Sequence, residues 1–128
     1  MTDAADRSAG LLAWQWQHYP GNHTDRRNLV IHLLTVPIFW GGTVAMLGAP
    51  MAGSVGSIVG SLVGGLVMCA LAMAAQGRGH KLETVPPIPF RGPLDVIARI
   101  FVEQWITFPR FVLSGQIAKA WSTNRRPG

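Results

Sequence analysis

No Asp, Glu, Lys or Arg occurs in the fifty residues from Asn28 to Gly77. A helix needs roughly 20 apolar residues to cross the hydrocarbon core of a bilayer, so a charge-free stretch of this length suits two helices folded back on one another. Gly48-Ala49-Pro50 supplies the turn, which places helices over 25–47 and 51–77 with apolar spans at 29–47 and 51–75. A water-soluble domain enclosing such a stretch would need far more polar surface than 128 residues with 13% charged side chains can offer. The expected fold is all-α: one integral membrane domain over 1–128, with the transmembrane hairpin at its centre. An interfacial helix over 1–20 precedes the hairpin. A Pro-rich loop over 84–93 and amphipathic or re-entrant helices over 94–121 follow it.

The net charge of +5 raises the question of nucleic acid. The cations do not form a dense run, however. Arg26 and Arg27 close one end of the apolar stretch, and Arg78 and Lys81 close the other. Basic residues flanking spans mark the cytoplasmic side. Both hairpin ends and both termini are therefore expected in the cytoplasm, with the uncharged turn across the membrane. The opening MTDAADRSAG is polar and acidic, so no signal peptide is expected there. Cys69 is the single cysteine, lies deep in the second span and reads as a small packing residue.

Leu11, Leu12, Trp14 and Trp16 give a helix over 3–18 an apolar side suited to an interface. Pro20-Gly21-Asn22 breaks the chain, and Asp25 can begin the first long helix. Pro37 is expected to kink that helix, not to end it. In the second span Gly56, Gly60 and Gly64 form a ridge paralleled by Ser57, Ser61 and Gly65. Small ridges let helices approach closely. The favoured reading is packing against the first span, and the sharper one is a homodimer face. Beyond the prolines, Leu94, Ile97, Phe101, Trp105 and Phe108 make an apolar stripe, with Asp95, Arg99 and Glu103 at four-residue spacing as a mutually paired charged one. Pro109 is expected to break this helix before a last segment, Arg110–Trp121, and the basic tail Arg125-Arg126.

Three of the four histidines acquire a common address from the hairpin. Folding near Pro50–Gly53 sets position 23 opposite position 80, and His32 lies only about 6 Å deeper than Asn28 at 1.5 Å per residue. His23, His32 and His80 can thus converge at the cytoplasmic mouth, with Glu83 one turn beyond His80. Ionisable groups at that depth point to function. Imidazoles with a carboxylate suit Fe, Zn, Cu or Ni better than Mg or Ca. His18 reads as interfacial.

The same residues carry a resemblance. Tyr19-x3-His23-x4-Asn28-x3-His32-x4-Pro37, then Gly79-His80-Lys81-Leu82-Glu83-x3-Pro87, resembles the 2-hydroxy-fatty-acid dioxygenase family of small multi-span membrane proteins, over roughly residues 14 to 90. EQWITFPRFVLSG is more loosely similar to the tail of some bacterial members, which implies a bacterial inner membrane. The resemblance implies Fe(II)-dependent α-oxidation, in which dioxygen removes the carboxyl carbon of a long-chain 2-hydroxy acid and leaves an acid one carbon shorter. It makes His23, His32 and His80 the iron ligands and Glu83 a further ligand or a group orienting one. Tyr19 and Asn28 would orient the imidazoles or the oxygen. Three protein ligands leave room for substrate hydroxyl and carboxylate to chelate the iron beside dioxygen. The carboxylate head would dock among Arg26, Arg27, Arg78 and Lys81, most of which serve primarily to set topology.

A different class of function also fits the sequence: a non-catalytic oligomeric membrane protein whose glycine ridge joins subunits and whose histidines form a structural or transport-related metal site. A basic protein docking on anionic lipid uses the charge but leaves His32 unexplained.

Overall fold

The structure, a computed structural model, describes residues 6–123. The start of the expected N-terminal helix (residues 3–5) and the tail Arg125-Arg126 lie outside them. Every regular element among the described residues is helical. Helix α1 (Leu11–His18) starts after Gly10, whose φ of 92° no preceding helix would carry, and passes into a 3-10 turn over Tyr19–Asn22. Helix α2 (Arg26–Gly48) is capped by Asp25, whose carboxylate accepts the Arg27 N–H at 2.8 Å, and runs through Pro37. A 3-10 turn over Ala49–Met51 reverses the chain. Helix α3 (Val55–His80) starts four residues later than position 51, because Ser54 caps it at 3.1 Å from Ser57 N after Gly53 turns the backbone at φ 79°. It runs to His80, three residues past the expected end.

Both long helices are apolar and long enough to cross a membrane. Within the protein only 39% of the most apolar window of residues Arg26–Met51, and 17% of that in α3, is covered. The hairpin closes through Gly42 and Gly65. A Cβ on Gly42 would stand 2.6 Å from the Gly65 carbonyl oxygen, and one on Gly65 2.7 Å from Met46 Cγ. Gly56, Gly60 and Gly64 face outward: a Cβ on any of them would meet open space. The expected packing of that ridge against the first span is therefore incorrect. The parallel ridge makes the contact through its last member, Gly65, because the helices cross nearer its level.

After the prolines, α4 (Pro93–Val102) continues through a π turn, Glu103–Thr107, into α5 (Phe108–Leu113). Pro109 does not break the helix. It lacks the N–H that would continue the i→i−5 ladder onto the Gln104 carbonyl, and Trp40 Nε1 donates to that oxygen instead at 2.7 Å. The break falls at Ser114-Gly115, with Gly115 at φ 81°, before α6 (Gln116–Thr123).

The amphipathicity of α4 is inside out. Leu94, Ile97, Phe101 and Trp105 are exposed, while Arg99, Gln104 and Thr107 are buried. Buried glutamines knit this segment to the rest. Gln76 and Gln104 exchange amide hydrogen bonds at 3.0 and 2.7 Å, and Gln15 donates to the Arg99 carbonyl at 3.0 Å while accepting from the Thr107 hydroxyl. Tyr19, Leu29, Val36, Phe108 and Phe111 fill the apolar core between these elements. Cys69 is a buried free thiol beside Phe39 and Ala72.

Candidate metal centre

His23 stands between the 3-10 turn and α2, stacked on Tyr19 with ring centroids 3.7 Å apart. Its Nδ1 lies 2.9 Å from the Tyr19 carbonyl oxygen. His32, about 9 Å into α2 at 1.5 Å per residue, sets its Nδ1 3.0 Å from the Asn28 carbonyl oxygen. A carbonyl only accepts, so each Nδ1 carries the proton, and in a neutral imidazole Nε2 is then a bare lone pair. Burial lowers the pKa of His23, which keeps its ring neutral.

These lone pairs face one another. His23 Nε2 and His32 Nε2 are 3.4 Å apart, and Glu103 Oε1 is 3.5 Å from the first and 3.4 Å from the second. His80, the last residue of α3, brings its ring centroid to 4.8 Å from His23 and 5.1 Å from His32. Its buried Nδ1 has no hydrogen-bond partner. One donor atom from each of His23, His32, His80 and Glu103 lies within 4.8 Å of the others. The Tyr19 hydroxyl, kept protonated by burial and by the Glu103 charge, donates to Oε1 at 3.1 Å. That one O–H cannot relieve three converging acceptors, whereas a cation between them can.

The donor set fits a metal ion. Donors held about 2.1 Å from one ion at tetrahedral angles stand about 3.4 Å apart, which is the spacing of the three atoms here. Histidine ligands characteristically give their other N–H to a carbonyl or carboxylate, as His23 and His32 do. Imidazole and carboxylate donors of this kind would suit Fe, Zn, Cu or Ni.

The structure brings His23, His32 and His80 together and puts Tyr19 and Asn28 against the imidazoles. It places Glu83 elsewhere. Both Glu83 oxygens accept from the backbone N–H groups of Thr24 and Asp25 at 3.0–3.1 Å, and the carboxylate takes the Thr24 hydroxyl and Asn28 Nδ2 at 2.7 Å each. Partial burial works against its charge, but these donors outweigh it and hold its pKa below the usual range. Glu83 thus ties the end of α3 to the start of α2 and presents His80 to His23. Gly79 makes room for that tie, since a Cβ there would collide with Asn28 Oδ1.

Of the four cations expected to dock a carboxylate, two are engaged within the chain and two are exposed. Arg26 donates to the Trp121 carbonyl at 2.8 Å, Arg27 pairs with Asp25 at 2.9 Å, and Arg78 and Lys81 are exposed. Two clefts meet the cluster at His80 and Glu103, one of about 40 Å³ and one of about 320 Å³, and the cation lining both is Arg99. His18 borders the smaller cleft and bonds to the Trp14 carbonyl at 2.8 Å, outside the donor cluster.

Sequence reasoning missed Glu103 and Arg99 by assigning them to a self-paired stripe. Arg99 does approach Asp95, at 3.8 Å, but Glu103 turns to the histidines. The available signal was the polar run Arg99, Glu103, Gln104 and Thr107 in an otherwise apolar helix, which in a lipid setting faces the interior. No protein-family model, curated protein or solved structure matches the chain.

Proposed function

We propose that this chain is a membrane-embedded non-haem iron dioxygenase that shortens 2-hydroxy fatty acids, or related lipids, by one carbon. The observation that carries the metal reading is the convergence of His23 Nε2, His32 Nε2 and Glu103 Oε1 at 3.4–3.5 Å, where the Tyr19 hydroxyl donates to Glu103 alone. The substrate class rests on the resemblance carried by Tyr19, His23, Asn28, His32, His80 and Glu83. The membrane setting is supported by two long apolar helices left largely uncovered and by the inverted amphipathicity of α4. In this reading the hairpin spans a bacterial inner membrane with its mouth and both termini cytoplasmic.

Iron, when bound, supplies the activation of dioxygen that a closed-shell substrate cannot achieve alone. The chain's own groups have distinct tasks. The Tyr19 and Asn28 carbonyls hold two imidazoles in the tautomer that exposes Nε2. The Tyr19 hydroxyl fixes Glu103, and Glu83 closes the mouth. The stoichiometry is balanced by one dioxygen consumed and the carboxyl carbon released as carbon dioxide, with water. With Glu103 in the set, four protein groups would hold the ion, one more than the three histidines expected from the sequence.

The test is metal analysis of anaerobically purified protein, followed by incubation with 2-hydroxypalmitate and dioxygen. About one iron per chain and formation of pentadecanoate are expected. His23→Ala, His32→Ala, His80→Ala and Glu103→Ala should each lose iron, and His18→Ala should not. Iron retained in all three histidine variants would remove the basis of the reading.

One observation favours a second reading. Four protein donors suffice to fill a tetrahedral shell, as in closed structural zinc sites. A non-catalytic protein would then bind zinc without exchangeable water, and the open Gly56, Gly60 and Gly64 ridge would serve as its oligomer face.

A further inference from the structure

Arg99 is 8% exposed and lines both clefts at the cluster. Its Nη1 donates to the Pro89 carbonyl at 3.1 Å, but its buried Nε has no partner. Asp95 pairs with it only loosely, at 3.8 Å. Arg7 takes that carboxylate with both terminal nitrogens, and the Arg91 N–H adds a bond at 2.9 Å. Arg99 Nη1 is left 3.8 Å away, beyond hydrogen-bond reach. Two guanidinium groups thus share one carboxylate. The aromatic rings of Trp14 and Phe90, 4.9 and 4.3 Å from the Arg99 guanidinium carbon, hold its plane in place.

The larger cleft runs from this cation along Met73, Phe90 and Ile100, an apolar wall that begins on α3. A fixed guanidinium at one end of an apolar slot is complementary to an anionic head on an alkyl tail, and the planar fork of Arg suits a carboxylate. We infer that Arg99 anchors the carboxylate of a single-chain fatty acid whose tail lies along Met73, Phe90 and Ile100. This inference rests on the proposed function for why the head stops beside His80 and Glu103. It also gives the carboxylate an anchor other than the metal, which four protein donors otherwise crowd.

The test uses the full chain in non-ionic detergent, stripped of metal by chelation, and compares binding of palmitate with hexadecanol. The parent should bind palmitate at least about tenfold more tightly, the scale of one charge-assisted hydrogen-bonding contact. Arg99→Gln should bring palmitate down to hexadecanol while leaving hexadecanol unchanged, and Arg99→Lys should recover part of the difference. Ile100→Trp, which narrows the slot, should weaken both ligands. Equal binding of acid and alcohol by the parent overturns the inference without any variant. So does palmitate affinity in Arg99→Gln that matches the parent. Metal content is read separately: an Arg99-dependent preference in protein that never binds iron would reject the oxygenase reading alone.

Discussion

Glu83→Ala tests whether the mouth of the hairpin is held by a carboxylate clamp or by a metal ligand. Four donors lose their acceptor in this variant: Thr24 N, Thr24 Oγ1, Asp25 N and Asn28 Nδ2. The Thr24 groups are exposed and regain water at little cost. The bonds from Asp25 N and Asn28 Nδ2 are part-buried, and hydrogen bonds to a charged partner are worth about 1.5–3 kcal/mol each. Some water enters, so the lower end applies, about 3 kcal/mol for the pair. Loss of a negative charge at the start of α2 adds about 0.5 kcal/mol. Unfolding in mixed micelles followed by tryptophan fluorescence should register this loss, and metal affinity should fall as His80 loses its tether. Glu83→Gln keeps acceptor capacity and should cost about half as much while retaining stoichiometric metal. The folded pKa of Glu83 lies below its ordinary value, so the clamp is complete above the ordinary glutamate range and is lost as pH falls through the folded value. The parent should therefore lose stability on acidification more steeply than Glu83→Gln. Abolition of metal binding by Glu83→Gln, or a loss under about 0.5 kcal/mol in Glu83→Ala, would refute the clamp.

Tyr19→Phe removes the hydroxyl that donates to Glu103 at 3.1 Å and should weaken metal binding about 10- to 100-fold without abolishing it, as read by chelator competition. Gly65→Leu should destroy the hairpin contact with Gly42 and lower stability in detergent by more than about 3 kcal/mol. Gly60→Leu, on open surface, should leave the monomer's unfolding midpoint unchanged and disrupt only a dimer, as sedimentation would show. For topology, Met51 is the better reporter than the buried Ala49, being 90% exposed at the turn. Met51→Cys in a Cys69→Ala background should react with an impermeant maleimide on intact cells, and labelling only after lysis would reverse the orientation.

The sequence by itself determined the hairpin and most of the cluster. Fifty residues without charge leave no polar side to a helix pair, and the arithmetic of a hairpin about Pro50 is enough to set His23 against His80. Helical spacing then puts His32 one turn from Asn28. These are consequences of local geometry, the 1.5 Å rise and one turn, and they do not depend on what else packs nearby. Tertiary structure decided the rest. Whether Glu83 or Glu103 reaches the histidines depends on how the Pro-rich segment lays α4 beside α1, and no local periodicity encodes that path. Asp95, Arg99 and Glu103 share a face by spacing alone, but whether that face looks to solvent or inward is settled by Gln15, Gln76 and Thr107, which bond to this segment from its far side or within it. The two small ridges of α3 differ by one residue in register, and only the crossing of α2 selects Gly65 over Gly64. Each of these outcomes turns on the relative placement of separate helices, an angle or a shift of a few ångströms that several side chains set jointly and no single segment carries.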